Sequence, residues 1–452
     1  MPAPAALSAE TRRILALAWP VALTSLNWTL LHLTDVVVVG MTGTAEVAAL
    51  GASRTLTFIG MVVTLGALTG VLVFVSRADG AGDLRETGRV FHQGLALALI
   101  LAVASALPLF LFAHPMLIAV GVEPGIAPAA AHVVRVMAFA YPPQLLIIAA
   151  TFFLEGVSRP GRVTAVNLSV LPVNAVLAWA LSGGHLGLPA MGAAGAATAT
   201  VIASAIGAAG MLAAAWTLPR ARERGVHALN SLFTRETLAG AIRLLRFGAV
   251  PAFASGLELA GFSILIALST QLGQTATHAF QIVFSIHNVT FALGLGFASA
   301  AGVRAGNAVG EGVPGAAVSR ALVAAALAAG STGLLALLLI LWPQPFVGLF
   351  PAAAEVHALA IAMLFVWAPF ILFDGLQVVF VYALRSLGDQ VAAGINGILA
   401  FFLITGGAGL WLVHMGWGAH ALVIASGAGM LAAAALNGAR LAWLSRRFRS
   451  RR

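Results

Sequence analysis

The strongest constraint in this chain is the recurrence of apolar stretches long enough to cross a lipid bilayer. A spanning helix needs about 20 predominantly apolar residues, and twelve such stretches, with short polar breaks between them, run from Leu15 to Leu444. Their approximate limits are 15–39, 47–76, 90–112, 131–154, 163–182, 190–217, 247–270, 277–303, 317–342, 356–383, 391–413 and 417–444. Only 9% of the side chains are charged, against about 25% in a soluble domain. Hydrocarbon offers no water to satisfy backbone N–H and C=O groups, so stretches of this length fold as helices. The expected class is an all-α membrane protein.

Charge placement sets the orientation. The net charge of +9 is compatible with nucleic acid or an anionic membrane surface as partner, and position along the chain favours the membrane. Arg12 and Arg13 precede the first span, Arg220, Arg222, Arg224, Arg235, Arg243 and Arg246 cluster mid-chain, and Arg446, Arg447, Arg449, Arg451 and Arg452 close it. Arginines also follow the second, fourth, eighth and tenth spans, whereas the alternate loops have none; only Arg54 and Arg135 begin helices on the opposite side. The positive-inside rule then places both termini and the middle loop of a multi-pass inner-membrane protein in the cytoplasm. The first span runs too long for a secretory signal and carries Asp35 near its end, so it is read as a retained helix.

Two absences exclude chemistry. Without cysteine there is no disulfide, thiolate metal site or thiol nucleophile. Without lysine there is no Walker-type loop, whose lysine must reach nucleotide phosphates, so no built-in ATPase is expected. HExxH and GxSxG motifs are missing too, and the histidines are scattered, which argues against a membrane-embedded enzyme.

The longer polar stretch from Pro219 to about Arg246 divides the spans six and six. The expected organisation is an amino-terminal lobe at 1–218, a cytoplasmic linker at 219–246, and a carboxy-terminal lobe at 247–452 with a basic tail. The halves resemble each other at an offset near 230 residues: Trp19-Pro20-Val21-Ala22 pairs with Val250-Pro251-Ala252-Phe253, Gly80 with Gly310, and Asn167 with Asn396. Six helices per half make a parallel repeat, with a pseudo-two-fold axis along the membrane normal. Such repeats place a substrate site at the midplane and work by alternating access.

Three acids interrupt the apolar pattern: Asp35 in the first span, Glu258 in the seventh and Asp374 in the tenth. A charge at the bilayer centre costs roughly 2.5–3.5 kcal/mol on insertion scales, so such groups usually face an interior cavity and have a partner. No arginine is expected deep in any span, which leaves the three carboxylates to be neutralised by a proton or a mobile cation. Pro20, Pro251 and Pro369 are each expected to interrupt a helix that carries one of these acids. Asn27, His32, Asn174, Thr198, Thr200, Gln281, His287 and Asn288 are candidate polar companions. His287 and His32 are expected to pack rather than relay protons. Aromatic faces suit a flat organic cation through cation–π attraction.

These residues resemble the MATE exporters over nearly the whole chain, the NorM-like branch in particular. The resemblance is carried by Trp19-Pro20 followed by Thr34-Asp35-Val36-Val37-Val38-Val39-Gly40, by Val303-Arg304-Ala305-Gly306-Asn307-Ala308-Val309-Gly310 after the eighth span, and by Leu384-Arg385-Ser386-Leu387-Gly388-Asp389 after the tenth. It implies cation coupling through Glu258 and Asp374, which would hold Na+ if sodium is the coupling ion, and an amino-lobe acid at Asp35 accompanied by Asn174 and Thr200. Two positions depart from the resemblance: Ala178 stands one turn after Asn174, where a second polar group is often found, and Phe370 one turn before Asp374, where some sodium-coupled relatives have a tyrosine. Gln281, His287 and Phe370 are carried as supporting contacts. The implied function is a monomeric secondary antiporter, without resident cofactor, that exports drug-like organic cations in exchange for Na+ or H+ and contacts membrane lipid and no nucleic acid. The alternative is a flippase for a lipid-linked or polyprenyl precursor.

Overall fold

The computed structural model describes residues 4–449; Arg451 and Arg452 of the basic tail lie outside the described residues. Every expected span is a helix. In chain order they are α1 (Pro4–Gly40), α2 (Thr44–Gly80), α3 (Leu84–Ala119), α4 (Ala127–Ala138 with Tyr141–Gly156), α5 (Pro160–Gly183), α6 (Gly192–Trp216), α7 (Arg235–Gln271), α8 (Gln274–Gly310), α9 (Pro314–Leu341), α10 (Ala354–Leu387), α11 (Gln390–His414) and α12 (His420–Arg449). Among the described residues eleven helices are long and apolar enough to span a membrane, and the bent α4 makes the twelfth.

The repeat is visible in the helix boundaries. α1, α2, α7 and α8 are each 37 residues long, and the glycines matched in sequence, Gly80 and Gly310, end α2 and α8. α7 begins at Arg235, inside the stretch read as linker, so the non-spanning connection is shorter than its polar composition suggests. A span's helix runs past the hydrocarbon when the flanking residues still form i→i−4 bonds.

The prolines act differently from one another. Pro20 and Pro251 sit inside unbroken helices, so the expected interruption fails there: loss of one N–H donor and a carbonyl clash can be absorbed by bending. Pro369 does break its helix, at a 3₁₀ turn over Ala368–Phe370. Pro142 and Pro143 open the second part of α4, which is bent 49° from the first.

Compactness divides the chain into two units. One comprises Met1–Ser25, Asp79–Gly82 and Phe253–Arg452, the other Leu26–Ala78 and Asp83–Ala252. The opening of α1 thus packs with the second half of the sequence and the opening of α7 with the first. In the unit holding most of the second half, Leu265, Phe280, Met363, Trp367, Phe401 and Leu422 form the core. In the other, Leu68, Leu97, Leu145, Phe153 and Met211 are fully buried. Lipid tails are as apolar as leucine, so close packing through small residues, of which the 49 glycines are the extreme, holds such helices together.

Candidate functional site

Asp35 is 5% exposed near the end of α1. The buried Asn174 of α5 donates to its Oδ1 at 3.0 Å, and Thr200 of α6 to its Oδ2 at 3.5 Å. The expectation that no arginine lies deep in a span fails here. Arg54 of α2 stands 4.0 Å from Asp35 Oδ2 and donates to the His32 carbonyl at 3.1 Å. Because α2 starts at Thr44, Arg54 lies nearly three turns into the helix rather than at its head.

These residues line a cavity of about 400 Å³. Trp28, Phe58, Met61 and Tyr141 form much of its apolar wall, with Asp35 and Arg54 on its polar side. The Tyr141 hydroxyl is fixed by donating to the Thr57 carbonyl at 2.9 Å. Asn27 also lines the space and donates to the Asn167 carbonyl at 3.2 Å. Asn27 Oδ1 and Asn174 Oδ1 are buried with no hydrogen-bond partner among the described residues. Two orphaned amide oxygens and a carboxylate thus belong to residues lining one cavity.

Asp374, 3% exposed, lies just beyond the 3₁₀ turn of α10. His287 Nε2 of α8 is 3.0 Å from its Oδ2, and Gln377, one turn on, donates to its Oδ1 at 3.3 Å. His287, carried as a supporting contact, is thus a direct partner of the acid. Its ring is surrounded by Phe262, Phe284, Phe291 and Trp367, with centroids 5.2 to 5.9 Å away. The expectation of acids without a fixed positive charge thus fails at Asp35, whereas Asp374 has an imidazole and an amide beside it; in both places packing brought together residues far apart in sequence.

Glu258 is half-buried on α7. The charges that act on it are those of Asp374 and Arg385. Arg385, on the last turn of α10, stacks over the Tyr382 ring at 5.5 Å, and its Nε is buried without a hydrogen-bond partner among the described residues. No hydrogen bond joins the remaining candidate residues Phe370, Gln281 and Thr198 to the acids among the described residues. Phe370 turns its ring onto Gly427 of α12, Gln281 is exposed on α8, and Thr198 donates to the Ala194 carbonyl. Gln377 was missed, although a polar residue three positions after Asp374 shares its helix face. Among the described residues no three His, Asp or Glu side chains gather into a site for a metal ion.

The comparisons agree with this architecture. A single family model, MatE, matches residues 20–180 and again 252–405, once in each half. The chain is 32% identical to the Probable multidrug resistance protein NorM of Burkholderia pseudomallei (strain K96243), covering 96% of this chain and 92% of that one. It is also 32% identical to the protein of the same description from Caulobacter vibrioides (strain ATCC 19089 / CIP 103742 / CB 15), covering 91% and 87%. Among solved structures it is similar to the eukaryotic MATE transporter AtDTX14, with a TM-score of 0.86 at 18% identity and coverage of 98% and 99%. A structure described as the outward-facing conformation of a multidrug resistance MATE family transporter gives a TM-score of 0.85 at 19% identity, covering 98% and 97%. The fold is that of twelve helices in two lobes. The chain is a multi-pass membrane protein and no enzyme: it belongs to the MATE family of transporters, in its NorM-like branch.

Proposed function

We propose that the protein is a multidrug efflux antiporter of the bacterial inner membrane, which exports organic, often cationic, compounds in exchange for Na+ or H+ by alternating access. The observation that supports this most is the cavity of about 400 Å³ beside Asp35, within the size range of small-molecule sites. Its aromatic wall suits flat apolar rings, and its carboxylate suits a positive charge. Arg54 keeps Asp35 neutralised when neither ion nor drug is present, so the exported cation has to displace the guanidinium or be displaced by it. Binding of the coupling ion to the buried acids favours one arrangement of the transporter over the other, and only such a difference in affinity drives exchange. In this reading both termini and the linker face the cytoplasm and the transporter works as a monomer.

Proteoliposomes loaded with ethidium test the proposal. An imposed sodium or proton gradient is expected to drive ethidium efflux, and Asp374→Asn to abolish the drive at unchanged protein content. Full gradient-driven activity of that variant defeats the assignment. Efflux blocked by polyprenyl phosphates but not by organic cations would instead favour a lipid flippase.

A further inference from the structure

We infer that Arg54 sets which molecules this cavity prefers: aromatic compounds that carry a carboxylate as well as a cationic group, with Arg54 receiving the carboxylate. This deepens the efflux reading above and rests on it in taking the cavity as the cargo site.

Two opposite charges line the cavity, and they differ in how far a cargo can reach them. Asp35 has 7% of its side chain exposed and Arg54 31%. Asp35 is also the better satisfied of the two, since Asn174 and Thr200 donate to its oxygens at 3.0 and 3.5 Å. A guanidinium carries five N–H donors in a planar fork. One N–H of Arg54 goes to the His32 carbonyl at 3.1 Å. The 4.0 Å separation from Asp35 exceeds hydrogen-bond length, so that contact is an attraction without a bond. No other hydrogen bond engages Arg54 among the described residues. What is left of the fork matches a carboxylate, which it can hold through two parallel bonds.

Charge balance then selects the cargo. Asp35 and Arg54 together are neutral, and in an apolar cavity an unbalanced charge is costly. A cation alone leaves one positive charge uncompensated and is held less tightly for that reason; an anion alone leaves one negative charge. A molecule that brings both leaves none, because its cationic group faces Asp35 while its carboxylate faces Arg54. A doubly charged phosphate would outweigh the single guanidinium, so a carboxylate is the matching anion.

The rest of the lining agrees with a cargo of two signs. Asn167 has an amide nitrogen, and Asn27 and Asn174 have amide oxygens, with no hydrogen-bond partner among the described residues. Donor and acceptor capacity are therefore both unspent in the lining. Trp28, Phe58, Met61 and Tyr141 supply the apolar wall against which rings can lie. All these residues belong to one compact unit, Leu26–Ala78 with Asp83–Ala252.

Three dyes built on one xanthene frame test this with the full chain. The N-unsubstituted rhodamine has a cationic ring system and a free carboxylate, its methyl ester keeps only the cation, and fluorescein keeps the carboxylate without the cation. Fluorescence anisotropy on the detergent-solubilised protein reads binding, and counterflow in proteoliposomes reads transport. The wild type is expected to bind the rhodamine acid about tenfold or more tighter than either other dye, the scale of a hydrogen bond to a charged group. In Arg54→Gln the acid is expected to weaken by about tenfold or more, while the ester tightens because no guanidinium competes for Asp35. Opposite shifts of two dyes separate this role from a damaged fold, which weakens both. Equal or absent binding of acid and ester in the wild type, tightest binding of fluorescein, or unchanged acid binding or a parallel loss of both rhodamines in Arg54→Gln overturns the inference. Binding in the expected order without counterflow of any dye defeats the efflux reading instead and leaves the assignment of Arg54 standing.

Discussion

Asn174 is the residue on which the chemistry at Asp35 turns. Its amide donates to one carboxylate oxygen at 3.0 Å, while its own oxygen is left without a partner. Removing a hydrogen bond to a charged group costs about 1.5–3 kcal/mol. Asn174→Ala is therefore expected to raise the driving-ion concentration for half-maximal ethidium efflux by about tenfold or more, with the maximal rate less affected. An ion titration in proteoliposomes reads this; an unchanged midpoint would remove Asn174 from the coupling machinery. The depth of Asp35 and Asp374 was legible from apolar flanks alone. Their companions were legible in part: Asn174, Thr200 and His287 stand out as polar residues in apolar spans and do bond the acids, whereas the pairing of His287 with Asp374 across 87 positions, and the reach of Arg54 to Asp35, were not. Helices apolar on every side carry no stripe to tell which face meets which neighbour, so a sequence names the acids and their candidate companions but not which companion packing brings beside which acid.

At the scale of elements, the connection between the halves is tied down rather than free. His92 of α3 engages it with both ring nitrogens, Nε2 to the Val226 carbonyl and Nδ1 to the Ser231 hydroxyl, each at 3.2 Å. Arg224 donates to Thr87 at 2.8 Å. The exposed pair of Arg220 and Glu223 contributes less. A hydrogen bond from the guanidinium holds the Glu223 carboxyl below its ordinary range, but such a surface pair contributes little to stability. What lets the strap lie flat is Gly88, where a Cβ would overlap the Arg224 carbonyl oxygen. Gly88→Ala is expected to cost about 1–3 kcal/mol, because backbone rather than a flexible side chain must yield. The measurements are a lowered melting midpoint and faster proteolysis between 219 and 234. Gly161→Ala, where a Cβ meets open space, is the control expected to leave both unchanged. The polar composition of this stretch announced a linker; its docking rests on a glycine contact across 136 positions, which no local pattern encodes.

At the scale of the whole molecule, the repeat was the most legible property, since one family model fits both halves and the opening helices have equal lengths. Less legible was the exchange of helix openings, in which residues up to Ser25 pack with the second half and residues up to Ala252 with the first. Compactness depends on tertiary contacts, and the polar linker alone suggested a cut between whole helices. The orientation expected from arginine bias is open to direct measurement because the chain contains no cysteine. Single cysteines at exposed loop positions then report their side without background labelling. Pro124→Cys, after α3, and Leu349→Cys, after α9, lie in loops without arginine. Arg85→Cys, ahead of most of α3, and Ala228→Cys, in the connection, lie on the arginine-rich side. A membrane-impermeant maleimide added to intact spheroplasts is expected to label the first two, and the second two only after permeabilisation. The reversed pattern would place the termini outside. It would exchange which end of the cavity opens to which side, while the direction of exchange would still be set by the ion gradient.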